Sequence, residues 1–351
     1  MDHSQIAQCL AWLAPVADKK MGGLNAVYVS GDSMWATTPM QSAIAQQSCL
    51  PSDTPFAMPM SIASLVKWAD VADSALEKTR LVVKYTNGDT VKIPLLETGV
   101  WQSELPLAYD ADAEYNWQKF TFMDALAHCA AVAEAEGQFS AVHFVGITMN
   151  ATNKFASRMR RAVTGVDYGN FCLPVDTANY VAKIGTKDTE IALVGECEWL
   201  NKDGVVIGHG PRSIMVRNGA NFVYTSQLFT SPPFNWDMMW ANMPCTYNCE
   251  MAEGISHYFT LIKSLSETGV APAAVLEFHD TFVSITAGDE IKGTVPVEYE
   301  DSKPTFAIKF QLSQWEEKRG ALSVSFGDTN TQPMTIHNGA GLDTAIMPMK
   351  M

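Results

Sequence analysis

Apolar residues recur every three to four positions in three stretches of the chain, residues 6–13, 122–132 and 255–262. That period predicts an amphipathic helix in each. Alternating stretches follow at residues 26–29, 142–145 and 274–278, and a period of two predicts half-buried strands. A second shared block lies further on. Phe56-Ala57-Met58-Pro59-Met60 leads into residues 62–68, Phe171-Cys172-Leu173-Pro174 into residues 178–183, and Phe306-Ala307-Ile308-Lys309-Phe310 into residues 312–315. Each reads as a strand, a break and a short helix. Residues 81–85 run to Asn87-Gly88 and residues 322–326 to Gly327-Asp328, dipeptides that favour hairpin turns. The blocks recur about 115 and about 135 residues apart, a domain-sized period. The fold class expected is α+β, with three repeated units that each pack two helices on one face of an antiparallel sheet. The junctions fall in residues 106–116, acidic and turn-rich, and 243–247, which carry Pro244. The domains expected are 1–117, 118–246 and 247–351.

Composition narrows the classes. Apolar residues make up 47% and charged residues 18% of the 351, enough to bury a core and too apolar for a disordered tail. A net charge of −14 argues against a broadly basic nucleic-acid binder, while leaving room for a local basic surface. Seven scattered cysteines read as reduced thiols of a cytoplasmic protein. The short polar start is not a signal peptide, and no apolar run approaches the roughly 18 residues of a membrane span.

No catalytic constellation is visible. The histidines form no HExxH or HxH pattern, and no GxSxG, P-loop or GxGxxG occurs. Cys245, Cys249 and His257 fall short of a four-ligand metal set. Glu316-Glu317 and the pair Asp110 and Asp112 read as solvated. The expectation is no enzyme, no metal and no cofactor.

The chain closes on Ala345-Ile346-Met347-Pro348-Met349-Lys350-Met351. Three repeats of this make-up with such a tail resemble the bacterial DNA polymerase III β sliding clamp family, whose chains end in hydrophobic-Met-Pro-Met-basic-hydrophobic. Ala151-Thr152-Asn153 is similar to the family's Ala-Thr-Asp turn. Phe171 to Pro174 is similar to its entry to the second helix of the middle domain, and residues 213–228 to the final hairpin of that domain. Pro233 and Pro244 bracket a segment like its Phe-Pro-x-Tyr…Pro stretch. The likeness spans nearly the whole chain and is firmest in its last two thirds. Lys154-Phe155-Ala156-Ser157 stands where the family has Gly-x-Arg-Leu, and Pro232-Pro233-Phe234-Asn235-Trp236 where it has Phe-Pro-Asp-Tyr. These departures are those of a divergent member, and a phage origin fits them.

The resemblance implies a homodimeric ring of DNA-clamp domains that encircles double-stranded DNA without reading sequence. It implies a hydrophobic groove for linear motifs of a DNA polymerase and a clamp loader. Carried over, the groove walls are Val142, Thr152, Lys154, Phe155, Pro233, Met239, Trp240, Ile346, Met347, Pro348 and Met349. Methionine suits a surface that accepts several partners. Without the resemblance, Ile346 and Met347 read as the end of an edge strand that packs inward. The cations expected to face DNA are Lys19, Lys20, Lys67, Arg158, Arg160, Arg161, Lys183, Lys263, Lys318 and Arg319, with Lys154 in the same dense run. The competing functions are a clamp-fold interaction protein that does not slide on DNA, and a hydrolase or nuclease with an unrecognised site.

Overall fold

A similar order of elements recurs three times, although the short helix expected at residues 312–315 lies outside the described residues. The structure, a computed structural model, describes residues 3–17, 25–46, 50, 53–97, 113–137, 139–153, 158–219, 221–266, 273–288, 291–311, 322–337 and 341–349. In the first repeat, helix α1 (Ser4–Leu13) precedes a meander of β1 (Ala26–Ser30), β2 (Ser33–Thr37) and β3 (Gln41–Gln46). Strand β4 (Phe56–Pro59) returns to pair with β1. A short helix α2 (Met60–Ala63) leads to a second meander, β5 (Val71–Glu77), β6 (Arg80–Tyr85) and β7 (Thr90–Pro94).

The second repeat follows suit. Strand β8 (Gln118–Lys119) and helix α3 (Met123–Ala130) precede the meander β9 (Ala141–Val145), β10 (Thr148–Thr152) and β11 (Arg158–Val163), and β12 (Asn170–Pro174) pairs with β9. Helix α4 (Val175–Ile184) then leads to β13 (Thr189–Leu200), β14 (Val206–Asn218) and β15 (Phe222–Gln227). A linking helix α5 (Trp236–Ala241) and strand β16 (Tyr247–Met251) open the third repeat. It has α6 (Ile255–Ser266), the meander β17 (Ala273–Phe278), β18 (Phe282–Ala287) and β19 (Ile291–Tyr299), and β20 (Ile308–Gln311) paired with β17. Strands β21 (Leu322–Phe326), β22 (Met334–His337) and β23 (Leu342–Ile346) complete it.

The helices and strands expected from periodicity are thus α1, α3 and α6 and β1, β9 and β17; β17 alternates as a half-buried strand should, whereas β1 and β9 are buried on both faces. The Asn87-Gly88 turn joins β6 to β7 with Gly88 at φ 90°, in the left-handed region that glycine enters without strain.

All strand pairings among the described residues are antiparallel, and a rule connects the repeats. The last strand of one repeat's first meander pairs with the last strand of the next repeat's second meander, β3 with β15 and β11 with β23. The result is an eight-stranded sheet (β4-β1-β2-β3-β15-β14-β13-β8) and a twelve-stranded sheet (β12-β9-β10-β11-β23-β22-β21-β16-β19-β18-β17-β20). The remaining sheet, β5-β6-β7, has three strands.

Two compact units result, Met1–Met123 with Tyr180–Thr230, and Asp124–Asn179 with Ser231–Met351. Each holds one of the large sheets, so the middle repeat contributes to both. In the first unit α1 buries Ile6, Leu10 and Leu13, the spacing that the apolar pattern required. In the second, Ile255 of α6 joins Leu276, Ile285, Phe310, Val324 and Ile346 in one core. No helix among the described residues is long and apolar enough to cross a membrane.

Candidate functional site

The tail begins inside the second unit. Strand β23 lies between β22 and β11, with Ile346 opposite both Met334 and Arg158. It is therefore an interior strand and not an edge, and Ile346 packs inward into the core. Met347 and Pro348 are half-buried and Met349 is 40% exposed. The Met349 N–H donates to the Lys309 carbonyl at 2.7 Å, which ties the emerging tail to β20.

Helix α5 packs beside this strand. Asn235 caps it by accepting the Met238 N–H at 3.2 Å, as an N-cap amide does. Its Trp236 and Trp240 pack with Met159 of β11 and Ala345 of β23, and Met239 packs against that cluster. The Trp240 indole N–H donates to buried Asn150 Oδ1 at 2.9 Å, and the Arg161 guanidinium lies 4.7 Å from the ring centroid. Trp236 sits edge-on to His143, with centroids 5.3 Å apart. The Phe234 N–H donates to His143 Nδ1 at 3.2 Å, and the Cys172 thiol is 3.4 Å from the same nitrogen. What this unit offers to solvent here is apolar and soft: Phe234 at 46% and Met238 at 58% exposure, beside half-buried Pro233 and Met239.

Val142, Thr152 and Ile346 do not line that surface. They are buried. The Thr152 hydroxyl donates to the Arg158 carbonyl at 3.1 Å, across the ends of β10 and β11. Lys154 and Phe155 lie outside the described residues, as do Lys19, Lys20, Lys318, Arg319, Lys350 and Met351, and so does the side chain of Lys263.

The cation set divides. Lys67, after α2, and Lys183, in the last turn of α4, are exposed at matching places of the first two repeats. Arg158 is half-buried and donates to the Ala131 carbonyl at 3.3 Å. Arg160 cannot reach a phosphate, because it is 1% exposed and its guanidinium donates to the His128 carbonyl. Arg161 is half-buried, its charge paired with Asp343 and its guanidinium over the Trp240 ring.

Asn150, His143 and Asp343 were absent from the sequence-level candidates. The one signal for the first two was a polar residue at a strand position flanked by buried apolar ones. The described residues include no cluster of three or more His, Cys, Asp or Glu able to hold a metal. Burial pushes the Cys249 thiol up to about 12, which leaves it a protonated, inert core group.

Burial also lowers the His143 pKa to about 4, against about 6.5 in an unfolded chain. The folded protein keeps this imidazole neutral while the unfolded chain takes up a proton. Stability should therefore fall as pH drops from about 6.5 to about 4, by up to about 3 kcal/mol from this group. Denaturant midpoints at pH 7 and pH 4.5 should show a smaller drop for His143→Gln than for the wild type. Equal drops would contradict the assignment.

No family model and no curated protein sequence matches the chain. Solved structures do. A putative DNA polymerase III β subunit from Eubacterium rectale superposes with a TM-score of 0.75 at 10% identity, covering 100% of this chain and 98% of that one. The DNA polymerase III β subunit of Thermotoga maritima gives 0.75 at 12% identity over the same shares. The Helicobacter pylori β clamp bound to a DNA ligase peptide gives 0.73 at 12% identity, over 99% and 98%. At such identities the likeness is one of fold, and it runs from end to end.

Proposed function

We propose that this chain, folded as a β sliding clamp, is a polymerase processivity factor: a homodimeric ring that encircles duplex DNA and tethers a replicative polymerase through the apolar surface around α5 and the tail. The observation that carries the reading is the full-length fold correspondence, supported by the threefold repeat within the chain. Domains 1–117, 118–246 and 247–351 are the three clamp domains.

The pairing rule of the repeats supports a ring. Strand β7 pairs only with β6 among the described residues, and it is the first repeat's counterpart of β15 and β23. Strand β19 is the third repeat's counterpart of β3 and β11; β16 takes its residues 297–299, and among the described residues 291–296 pair with β18 alone. Antiparallel pairing of β19 in one subunit with β7 in its partner repeats the internal contact, covers a free edge and closes a head-to-tail dimer.

Lys67 and Lys183, with Lys19, Lys20, Lys263, Lys318 and Arg319, are the phosphate-facing cations, which act without base readout. Topological tethering keeps the polymerase concentrated at the primer end. The protein works in the cytoplasm, performs no chemical step, binds no cofactor, and needs a separate ATP-driven loader. The Helicobacter pylori clamp with its DNA ligase peptide supports capture of linear motifs.

After loading onto nicked circular DNA and a high-salt wash, the protein is expected to stay bound, and cutting the circle should release it. Salt-resistant binding to open linear DNA would contradict the ring, since cation–phosphate contacts weaken steeply with salt.

A further inference from the structure

Asp343 sits where the third repeat meets the second, on β23 opposite Arg161 of β11. Its carboxylate is nearly enclosed and both oxygens are engaged. Oδ2 accepts Arg161 Nε at 3.0 Å and Nη2 at 2.5 Å. Oδ1 lies 3.0 Å from His337 Nδ1 on β22. His337 Nε2 is in turn 2.9 Å from Ser325 Oγ on β21, which donates to Asn248 Oδ1 on β16 at 2.7 Å. A line of polar contacts thus crosses five neighbouring strands and ends at the Arg161 guanidinium over Trp240. Burial works to raise the Asp343 carboxyl, but hydrogen bonds and charge from His337 and Arg161 outweigh it and hold it below the usual carboxylate range.

A long arginine side chain does not choose one plane on its own. Two donors on a single carboxylate oxygen fix the guanidinium plane, and that plane covers the Trp240 face while Asn150 holds its indole N–H. Met238 and Met239 precede this ring on α5. They are adaptable contacts mounted on a ring that is fixed from two directions.

We propose that Asp343 is a positioning residue for the peptide surface, holding Arg161 over Trp240 and so fixing the part of α5 that a partner's apolar side chains would meet. The proposal rests on the peptide-groove reading given under Proposed function.

The test uses the full chain with 15N-labelled indoles, the Trp240 resonance being assigned by Trp240→Phe, and a synthetic DNA ligase peptide of the Helicobacter pylori type as probe. Asp343→Asn should move the Trp240 N–H resonance and weaken peptide binding about tenfold. Arg161→Lys, which keeps the charge and loses the fork, should do the same and serves if Asp343→Asn does not fold. Combined with Trp240→Phe, either change should add no further loss, because both act through one ring. An unmoved Trp240 resonance in both variants, or losses that multiply in the double variants, would overturn the proposal. If the wild type takes up no peptide while the resonance still moves, the groove reading fails and the positioning of Trp240 stands.

Discussion

Proline at Ala345 is expected to collapse the second unit and remove peptide capture with it. Ala345 is buried on β23, opposite Met159 of β11 and Thr335 of β22. Proline there removes a backbone donor and forces its ring into a strand paired on both sides, where it is tolerated only at edges or bulges. A buried carbonyl left without its ladder donor costs about 1–3 kcal/mol and the clash of the ring adds to it, a large part of the roughly 5–15 kcal/mol that holds a domain folded. The check is a denaturant or thermal melt of Ala345→Pro beside the wild type. Near-wild-type melting would mean that β23 is not the interior strand described above.

Trp236→Ala should come next in size. The indole is 1% exposed and packs with Trp240, Met159 and Ala345, with Phe234 and His143 at its edges. Removing so large a buried ring costs about 3–5 kcal/mol where the surroundings cannot close in. It also opens His143 to water, so the acid sensitivity between about pH 6.5 and pH 4 should shrink along with stability. Denaturant midpoints measured across that range would report both. A variant that keeps the wild-type pH dependence would show that Trp236 is not what shields the imidazole.

The sequence pattern carried the repeats well because helix and strand periods are local properties. Ile6, Leu10 and Leu13 share one face of α1, and the alternation at residues 142–145 became β9. Pairing between distant strands is not local. Nothing near Ile346 announces that β11 will lie along β23, so without the family resemblance the tail reads as an edge strand, whereas β23 is interior. The basic run at residues 158–161 misled for a related reason. Adjacent strand residues point to opposite faces, so Arg160 and Arg161 part company. One turns inward to the His128 carbonyl, the other to Asp343, far along the chain. A cation count cannot register an acid that distant. The apolar surface was partly legible, since Pro233 and Met239 belong to it. Phe234 and Met238 were missed because exposure depends on how α5 docks. Val142 and Thr152 are buried, which the chain's local pattern does not announce.

The most direct test of the central claim is the solution mass of the protein combined with a low-resolution image. A particle of twice the 38.4 kDa chain mass is expected, with a central hole wide enough for duplex DNA to pass without base contacts. A compact monomer, or a dimer without a hole, would contradict it.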